Sequence, residues 1–378
     1  MTKNICILAG ARPNFIKVSP LVREIKRRQE SGDKSLALSC LLVYAGSADD
    51  PTLEPSLFDD LQIDRPQYYL GVVSTSLNEI TSQVMAQFDR FLDEHPVDVV
   101  IVVDDLASTM AAAIVTKKRG IRLAHLVAGT RSFNINMPKE INRLVIDALS
   151  DYLFTAGVRS TGVATREQSE QSQTFMVGNI LMDTLRFNRN RLKRPASLPD
   201  LQEGGYIVFT LNRKALLADE DNLRKMLLAM TEAAGDVPII APLRNEAYDV
   251  VSKLSSVICH SLSTSHLSLL TSHLSLLTSL SYLEFLWLTA HAKGLITDSG
   301  NVAEEATFNG VPCITLNDYT EHQETVTVGS NVLVGEDAER LREAVTKMVS
   351  GEWKHCALPD RWDGRTADRI LQILSSMD

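Results

Sequence analysis

Short apolar segments alternate with longer amphipathic segments along the first half of the chain. Segments of four to eight mostly apolar residues have the length of buried β-strands, and they occur at 5–9, 37–44, 97–103, 123–127 and 152–155. Between them, apolar residues recur at helical spacing over 18–28, 77–94, 108–119 and 141–149. This alternation predicts parallel β-α units with helices on both faces of one sheet.

The same alternation begins again in the second half of the chain. Strands are predicted at 206–210, 237–241, 294–297, 311–315 and 332–334, and helices near 221–234 and 338–348. We therefore expect two doubly wound Rossmann-like α/β domains, 1–185 and 186–378, joined near the basic segment 186–199, with the last helix as a candidate to return to the first domain. Ligands of such sheets bind outside the carboxyl ends of the strands, so a cleft between the domains is the expected site.

One segment breaks the pattern, because the seven residues SHLSLLT at 265–271 recur unchanged at 272–278. A coiled coil would need three or four such heptads and charged flanking positions, which this segment lacks. We expect an inserted duplication that lengthens a loop before a helix at 282–292. His266 and His273 are copies of one residue, so their spacing is weak evidence for a metal site.

Composition places the chain among ordinary globular proteins and narrows its ligands. Its 378 residues, 44% of them apolar and 22% charged, are enough for two domains that each have a core. The net charge of -9 argues against general electrostatic binding to nucleic acid or anionic lipid, which needs clustered Lys and Arg. An anionic ligand must therefore be bound by a local site.

The first residues and the cysteines indicate where the protein works. The first apolar run, of about six residues, is too short for the core of a signal peptide or for a membrane span, so we expect a cytoplasmic protein. The five cysteines are scattered and include no C-x-x-C pair, which favours free thiols over a disulfide framework or a zinc site. No metal ion, cofactor, nucleic acid or membrane is expected as a partner.

The first predicted strand ends in a glycine turn with two basic residues nearby. Gly10 follows the strand, Arg12 and Pro13 begin the next segment, and Lys17 lies further along it. A glycine between strand and helix lets backbone N–H groups approach an anion at the helix N-terminus, where Arg12 and Lys17 would add positive charge. The alternative, two solvated basic residues at a helix start, stays open.

A second turn of the same kind occurs in the second half of the chain. Ser299 and the N–H groups of Gly300 and Asn301 stand where a helix would begin, and they could donate to phosphate oxygens. The alternative is an ordinary capping box, in which Ser299 pairs with a nearby Glu. A Glu one turn into the helix could accept the ribose hydroxyls, and spacing does not decide between Glu304 and Glu305.

A series of short motifs resembles, in order and spacing, the non-hydrolysing UDP-N-acetylglucosamine 2-epimerase family. The matching residues are Gly10–Pro13 with Ile16 and Lys17, Asp105 with Ser108 and Thr109, Ala128 and Gly129 with Arg131–Phe133, Met137 and Pro138 with Glu140–Arg143, Val177–Asn179, Tyr282–Phe285, Asp298–Gly300 with Glu304 and Glu305, and Thr320 and Glu321 with Glu324–Val326. The resemblance implies a fold like that of GT-B glycosyltransferases, with UDP held mainly by the C-terminal domain. It also implies a homodimer formed through the N-terminal domain and a role in making cell-surface polysaccharide precursors.

The resemblance also implies roles for individual residues. UDP would be bound by Arg12, Lys17, Phe285, Ser299, Gly300 and Glu305. Phe285 would lie near the uracil, the Ser299 turn on the diphosphate and Glu305 on the ribose. The sugar side would be shaped by Arg131, Glu140, Asn142 and Arg143, with Arg213 as a further substrate-binding candidate. Asp105 and Glu140 are the catalytic candidates.

The family reaction inverts C2 of the sugar, and this chain departs from the family at positions that move protons. UDP is eliminated across C1 and C2 and added back with the proton on the other face, which needs at least two acid/base groups. The family supplies an Asp, two Glu and a His. Asp105 remains here, but the other three positions hold Val127, Lys139 and Asn212. Valine cannot transfer a proton, and asparagine does not titrate.

Three functions stay open at this point. The chain could be an active 2-epimerase in which Asp104, Glu140 or Lys139 substitutes for the missing groups. It could be a UDP-sugar binder without catalysis that pairs with or regulates an active relative. It could also be a glycosyltransferase of the same architecture, although the matched motifs belong to epimerases.

Overall fold

The computed structural model describes residues 2–31, 38–261, 274–277 and 280–376, with side chains placed for all of these except 257–261. They form two compact units, of which one comprises Met1–Phe187 with Asp360–Asp378 and the other Asn188–Pro359. Each unit contains one parallel β-sheet with helices between its strands. The predicted α/β fold class is confirmed.

The first unit contains a seven-stranded sheet. Its strands are β1 (Lys3–Ala9), β2 (Leu38–Tyr44), β3 (Tyr68–Tyr69), β4 (Val99–Val103), β5 (Arg122–Ala128), β6 (Tyr152–Thr155) and β7 (Gln173–Met176). They pair in parallel in the order β3-β2-β1-β4-β5-β6-β7. The sequence predicted all but β3 and β7. These two edge strands are short and largely half-buried, so no apolar run marks them.

The helices of the first unit follow its strands. They are α1 (Arg12–Glu30), α2 (Pro55–Leu61), α3 (Leu77–Glu94), α4 (Ala107–Lys118), α5 (Pro138–Leu149), α6 (Val158–Glu167) and α7 (Ile180–Asn188). α1 begins at Arg12, well before its predicted start at residue 18. Pro13 is tolerated in its first turn, because an N–H at that position would have no partner within the helix. Pro138 has the same position in α5.

The second unit contains a six-stranded parallel sheet in the order β10-β9-β8-β11-β12-β13. Its strands are β8 (Ile207–Phe209), β9 (Ile239–Pro242), β10 (Leu274–Leu277), β11 (Gly294–Thr297), β12 (Cys313–Thr315) and β13 (Asn331–Leu333). Alternate residues of a strand face opposite sides. Accordingly, Ile207 and Phe209 join one apolar cluster and Val208 joins another, so both faces of the sheet are buried.

The helices of the second unit lie between these strands and after them. They are α8 (Lys214–Ala218), α9 (Glu220–Ala234), α10 (Asn245–Ser261), α11 (Tyr282–Ala290), α12 (Gly300–Asn309), α13 (Gln323–Thr327) and α14 (Ala338–Ser350). α9 and α14 pack against the same apolar cluster as β8. Within the described ranges, no helix combines the length and the apolar character that crossing a bilayer requires.

The tandem repeat is partly a strand. The prediction of a loop over the second copy is wrong for Leu274–Leu277, which form β10 and pair with β9 at the edge of the sheet. Leu274 and Leu276 pack against the main apolar cluster, whereas Ser275 is exposed. This alternation is that of a half-buried strand. The first copy, 265–271, lies outside the described residues, and the prediction for it stays open.

The last helix, α15 (Thr366–Ser376), belongs to the first unit. At its start, the Asp183 carboxylate accepts hydrogen bonds from the N–H groups of Thr366 and Ala367 at 3.0 and 2.8 Å. Just before it, the buried Trp362 donates its Nε1–H to the carbonyl of Ala156 at 3.1 Å. These contacts attach the end of the chain to helix α7 and to the end of β6.

Candidate functional site

In the first sheet, the strand order reverses between β1 and β4. The chain proceeds from β1 outward to β2 and β3, and then returns to β4 on the other side of β1. Such a reversal leaves a crevice at the carboxyl ends of the two strands, where doubly wound sheets bind ligands. Gly10 lies at the end of β1, and Asp104 and Asp105 lie at the end of β4.

The glycine turn after β1 is closed by hydrogen bonds of its own. Asn14 accepts from the N–H groups of Gly10 and Ala11 at 2.8 and 3.2 Å, so the two amides that we expected to meet an anion already have a partner. A side chain at Gly10 is excluded, because its Cβ would lie 2.1 Å from Oγ of Ser108. Arg12 pairs with Glu54 at 3.3 Å.

Lys17 and Asp104 form an ion pair at this end of the sheet. The Lys17 ammonium, which is buried, lies 2.6 Å from Oδ1 of Asp104, and Asn14 donates to Oδ2 at 2.9 Å. The predicted contact of Lys17 with UDP stays a prediction. Its charge is balanced by Asp104 within the first unit.

Asp105 is held by residues of α5. Arg143 donates to its Oδ2 from Nε and Nη2 at 2.8 and 2.5 Å, and Asn142 donates to its backbone carbonyl at 2.8 Å. The Lys139 ammonium, on a largely exposed side chain, lies 3.7 Å from Oδ1. Burial raises the pKa of Asp105, but the charges of Lys139 and Arg143 outweigh it and hold the pKa below its ordinary value. Asp105 is therefore an ionised, oriented carboxylate at neutral pH.

Glu140, the second catalytic candidate, is buried and hydrogen-bonded to the loop before α5. Its carboxylate accepts from the N–H and hydroxyl of Ser132, both at 2.8 Å, from the N–H of Phe133 at 3.0 Å and from Arg143 at 3.1 Å. Burial raises the pKa of Glu140, but the hydrogen bonds from Ser132 and Phe133 outweigh this effect and hold the pKa below its ordinary value. The carboxylate thus fixes the loop, and a catalytic role for it stays a prediction.

A buried ionic network that the sequence did not reveal lies beside these groups. His125 of β5 places Nδ1 2.5 Å from Asp147 and Nε2 2.9 Å from the carbonyl oxygen of Asp104. Arg131, proposed for the sugar side, pairs with Asp147 at 2.7 Å and with Glu167 at 2.9 Å, and its side chain is almost fully buried. Its charge is therefore balanced inside the unit. The available signal was His125 itself, a polar residue in an apolar strand.

In the second sheet, the strand order reverses between β8 and β11. Asp298, after β11, accepts hydrogen bonds from the N–H groups of Asn212 and Arg213, after β8, at 2.7 and 2.6 Å. Burial raises the pKa of Asp298, although these two bonds oppose the shift. The Arg213 guanidinium lies 2.7 Å from Oδ1 of Asn317 and 3.0 Å from Glu336. The structure thus brings Asn212 and Arg213 to the turn that precedes α12.

Ser299 caps the start of α12 with its backbone only. It stands at the N-cap position, but its side chain accepts no capping hydrogen bond, so the alternative of an ordinary capping box is wrong. A full capping box does occur on α11, between Ser281 and Glu284. The N–H groups of the first turn of a helix have no partner within it, and together with Ser299 they form an arrangement suited to phosphate oxygens.

The two glutamates of α12 differ in their surroundings. Both are buried, but Oε1 of Glu304 lies 2.9 Å from Nδ1 of His322. The assignment of Glu305 to the ribose, which the family resemblance implies, stays a prediction. Phe285, the candidate for the uracil, is half-buried on α11 and packs against the apolar cluster on that face of the sheet. No role was predicted for His322, which lies between the matched residues Glu321 and Glu324.

The described side chains include no cluster of metal ligands. No group of three or more His, Cys, Asp or Glu is arranged there to hold an ion. The four cysteines with described side chains, Cys6, Cys40, Cys313 and Cys356, are free thiols, and the first and third are buried.

Comparison with known proteins gives concordant matches along nearly the whole chain. Residues 31–375 match the family model described as UDP-N-acetylglucosamine 2-epimerase. The UDP-N-acetylglucosamine 2-epimerase of Methanocaldococcus jannaschii is 30% identical over 98% of both chains. The UDP-2,3-diacetamido-2,3-dideoxy-D-glucuronate 2-epimerase of Pseudomonas aeruginosa is 31% identical over 90% of both. The crystal structure of the M. jannaschii protein with UDP-GlcNAc and UDP superimposes with a TM-score of 0.82, at 29% identity, covering 99% of this chain and 100% of that one.

Proposed function

Because the chain belongs to the UDP-N-acetylglucosamine 2-epimerase family, we propose that it interconverts UDP-N-acetylglucosamine and UDP-N-acetylmannosamine. The reaction removes the C2 proton, breaks the bond from C1 to the UDP oxygen, and then adds UDP and a proton back with C2 inverted. In this proposal the second unit binds UDP through Ser299, Gly300 and Glu305. The first unit supplies the acid/base group.

The position and orientation of the Asp105 carboxylate are the main support for the proposal. Its ionised carboxylate stands at the carboxyl end of a central strand, where parallel sheets bind ligands, and Arg143 fixes its orientation. An ionised carboxylate in a fixed position can accept a proton, as general-base catalysis requires, although its lowered pKa makes it a weak base. Neither Val127 nor Asn212 can transfer a proton, so we expect turnover below that of a protein with all four groups.

Proton exchange at C2 tests the proposal directly. The purified protein would be incubated with UDP-N-acetylglucosamine in deuterated buffer, and NMR would follow deuterium at C2 and formation of the manno epimer. Asp105→Asn should lower exchange at least a hundredfold, because it removes a general base, while leaving UDP affinity within about twofold. UDP binding by calorimetry without any exchange would instead support a binder that lacks catalysis.

The second candidate substrate is a UDP-linked 2,3-diacetamido uronate, the compound named for the P. aeruginosa relative. The same exchange experiment with both compounds decides between them. A preference for the uronate of more than about tenfold in kcat/KM, or roughly 1.4 kcal/mol, would assign the chain to that substrate.

We also propose a homodimer formed through the first unit, in the cytoplasm. The apolar side chains of Phe133, Ile135, Ile141 and Leu144 are exposed in and just before α5, and Ile141 and Leu144 share one helix face. Exposed apolar side chains that lie together often mark interfaces between proteins. Light scattering should give the dimer mass, and Leu144→Glu should shift it toward the monomer. Cell fractionation tests the location.

A further inference from the structure

Two side chains hold the backbone on either side of the Asp105 side chain. β4 ends at Val103, so the carbonyls of Asp104 and Asp105 lie beyond the strand. His125 of β5 donates from Nε2 to the carbonyl of Asp104 at 2.9 Å. Asn142 of α5 donates to the carbonyl of Asp105 at 2.8 Å. The two peptide groups that flank the side chain are therefore bonded to other elements of the same unit.

The ring of His125 is fixed at its other nitrogen by a buried carboxylate. Nδ1 lies 2.5 Å from Oδ1 of Asp147, and the two side chains are only 2% and 5% exposed. Burial raises the pKa of Asp147, but the charges of His125 and Arg131 hold it below its ordinary value, so Asp147 is ionised at neutral pH. An ionised carboxylate and a carbonyl oxygen only accept hydrogen bonds, so both ring nitrogens donate. The pair with Asp147 thus keeps Nε2 aimed at the Asp104 carbonyl.

The carbonyl that His125 holds belongs to a residue in an uncommon backbone conformation. Asp104 has φ of 60°, in the left-handed region that non-glycine residues rarely adopt. A rotation of the peptide group between Asp104 and Asp105 would redirect the Asp105 side chain, whose carboxylate accepts from Arg143 at 2.8 and 2.5 Å. The hydrogen bond from His125 therefore stabilises the backbone conformation in which Asp105 and Arg143 form their ion pair.

We propose that His125 is a positioning residue for Asp105, and that it acts through the carbonyl of Asp104 and not on the substrate. Asp147 orients the imidazole for this contact. The placement matters because a displacement of about 1 Å in a reacting group can lower a rate by about 10²-fold. The inference rests on the proposed function, because proton transfer by Asp105 is its premise.

Two amide substitutions divide the hydrogen bonds of the ring between them. The amide nitrogen of Gln extends from the backbone about as far as Nε2 does, and that of Asn about as far as Nδ1. His125→Gln therefore keeps a donor for the Asp104 carbonyl, whereas His125→Asn keeps only a donor for Asp147. We expect kcat for C2 proton exchange to be at least about tenfold lower in His125→Asn than in His125→Gln, because only the Asn variant releases the backbone at Asp105. KM should stay within about twofold of the unmodified value in both variants.

The order of the two variants decides between positioning and stability. If His125 served only to stabilise the fold, the Asn variant, which keeps the buried pair with Asp147, would be the more active. Equal kcat values, or a lower kcat in His125→Gln, would therefore overturn the inference and leave the proposed function standing. His125→Leu, which has no donor, replaces the Asn variant if that variant does not fold. Arg131 and the N–H of Gly129 would still pair with Asp147 in it.

The control is a histidine far from this contact in the sequence. His355→Asn, at an exposed side chain of the second unit, should change neither kcat nor KM. If the unmodified protein exchanged no C2 proton at all, the proposed function would fall and this inference with it.

Discussion

Two residues at the ends of β4 and β5 have left-handed backbone conformations. Asp104 has φ of 60° and Val127 has φ of 73°. Asp tolerates this region, but a β-branched residue there is a genuine outlier, which costs on the order of 1–3 kcal/mol. Strain of this kind persists where the surrounding structure enforces it, and it concentrates at functional sites. Its occurrence beside Asp105 supports the assignment of this strand edge as the reactive one.

At the residue scale, the nucleotide contacts give the first prediction. Ser299→Ala or Glu305→Ala should weaken UDP binding by about 1–3 kcal/mol, because each removes a charge-assisted hydrogen bond. Ser299 would donate to the charged diphosphate, and the Glu305 carboxylate would accept from the ribose hydroxyls. Calorimetric titration measures this loss. Ser350→Ala, at the exposed end of α14, is the control and should leave affinity unchanged. Unaltered binding in both site variants would disprove the placement of UDP on α12.

The sequence singled out individual candidate residues, but it did not predict their partners. The family resemblance singled out Asp105 and Arg143 separately, and the structure joins them in an ion pair. The sequence could not show that Arg131 forms an ion pair with Asp147, because the partner of a buried arginine depends on the three-dimensional fold. The contacts of His125 were hidden for the same reason, since they link β5 to Asp104 and Asp147, which are distant in sequence.

At the scale of elements, the last helix gives the second prediction. Asp183 accepts two N–H groups at the start of α15, but burial raises its pKa to about 6. A carboxyl whose folded pKa lies above the unfolded value stabilises the fold at low pH. That contribution is lost as pH rises through about 6. Between pH 5 and pH 7 the loss should be about 1 kcal/mol for this residue alone.

Asp183→Asn isolates this effect, because the amide keeps an acceptor for α15 but does not titrate. Urea unfolding at pH 5 and pH 7 gives the free energy of unfolding of both proteins. From pH 5 to pH 7, the unmodified protein should lose about 1 kcal/mol of stability relative to the variant. A difference that stays constant with pH would mean that Asp183 titrates near its ordinary value.

The tandem repeat gives the third prediction. Removal of 265–271 leaves the second copy and thus β10 in place, so the free energy of unfolding and the Kd for UDP should change little, by less than about 1 kcal/mol, as loop shortening does. Leu276→Asp is the contrasting variant, because it places a charge against the apolar cluster and should destabilise by more than about 2 kcal/mol. Equal damage from both changes would mean that the first copy is part of the core.

Elements with strong local signals were predicted to the residue, and edge elements were not. α3 has apolar residues at helical spacing, and its N-cap Ser76 accepts a hydrogen bond from the N–H of Glu79. Its bounds match the prediction. β11 is an apolar run between a lysine and an aspartate, and it matches too. In contrast, β3 spans two residues and β10 alternates leucine with serine, so their pairing depends on the neighbouring strand and not on a local apolar run.

At the scale of the whole molecule, both units follow one plan. Each sheet reverses its strand order once, and in each the reversal point carries the residues that the sequence singled out, Asp105 in the first unit and Ser299 in the second. If the acid/base groups are replaced as the family resemblance implies, this plan accounts for the match with relatives along the length of the chain. Core alternation and turn glycines define the fold, while proton transfer depends on a few side chains that the fold does not require.

The last prediction concerns groups in both units. Val127 and Lys139 lie in the first unit and Asn212 in the second, at the three positions where the family resemblance places Glu, Glu and His. The triple variant Val127→Glu, Lys139→Glu, Asn212→His should raise the rate of C2 proton exchange by about 10²-fold or more, because it restores acid/base groups to the proposed nucleotide-binding fold. Glu is not branched at Cβ, so it fits φ of 73° with less strain than Val does.

Single reversions should gain little, because groups that act together on one substrate are strongly non-additive. Asp105→Asn in the triple variant is the control, and it should return exchange to the background rate if the restored groups act with Asp105. NMR in deuterated buffer measures all of these rates under one condition. If the unmodified protein already exchanges C2 at an ordinary enzymatic rate, the three replacements are not a defect, and Asp105, Glu140 and Lys139 become the groups to remove next.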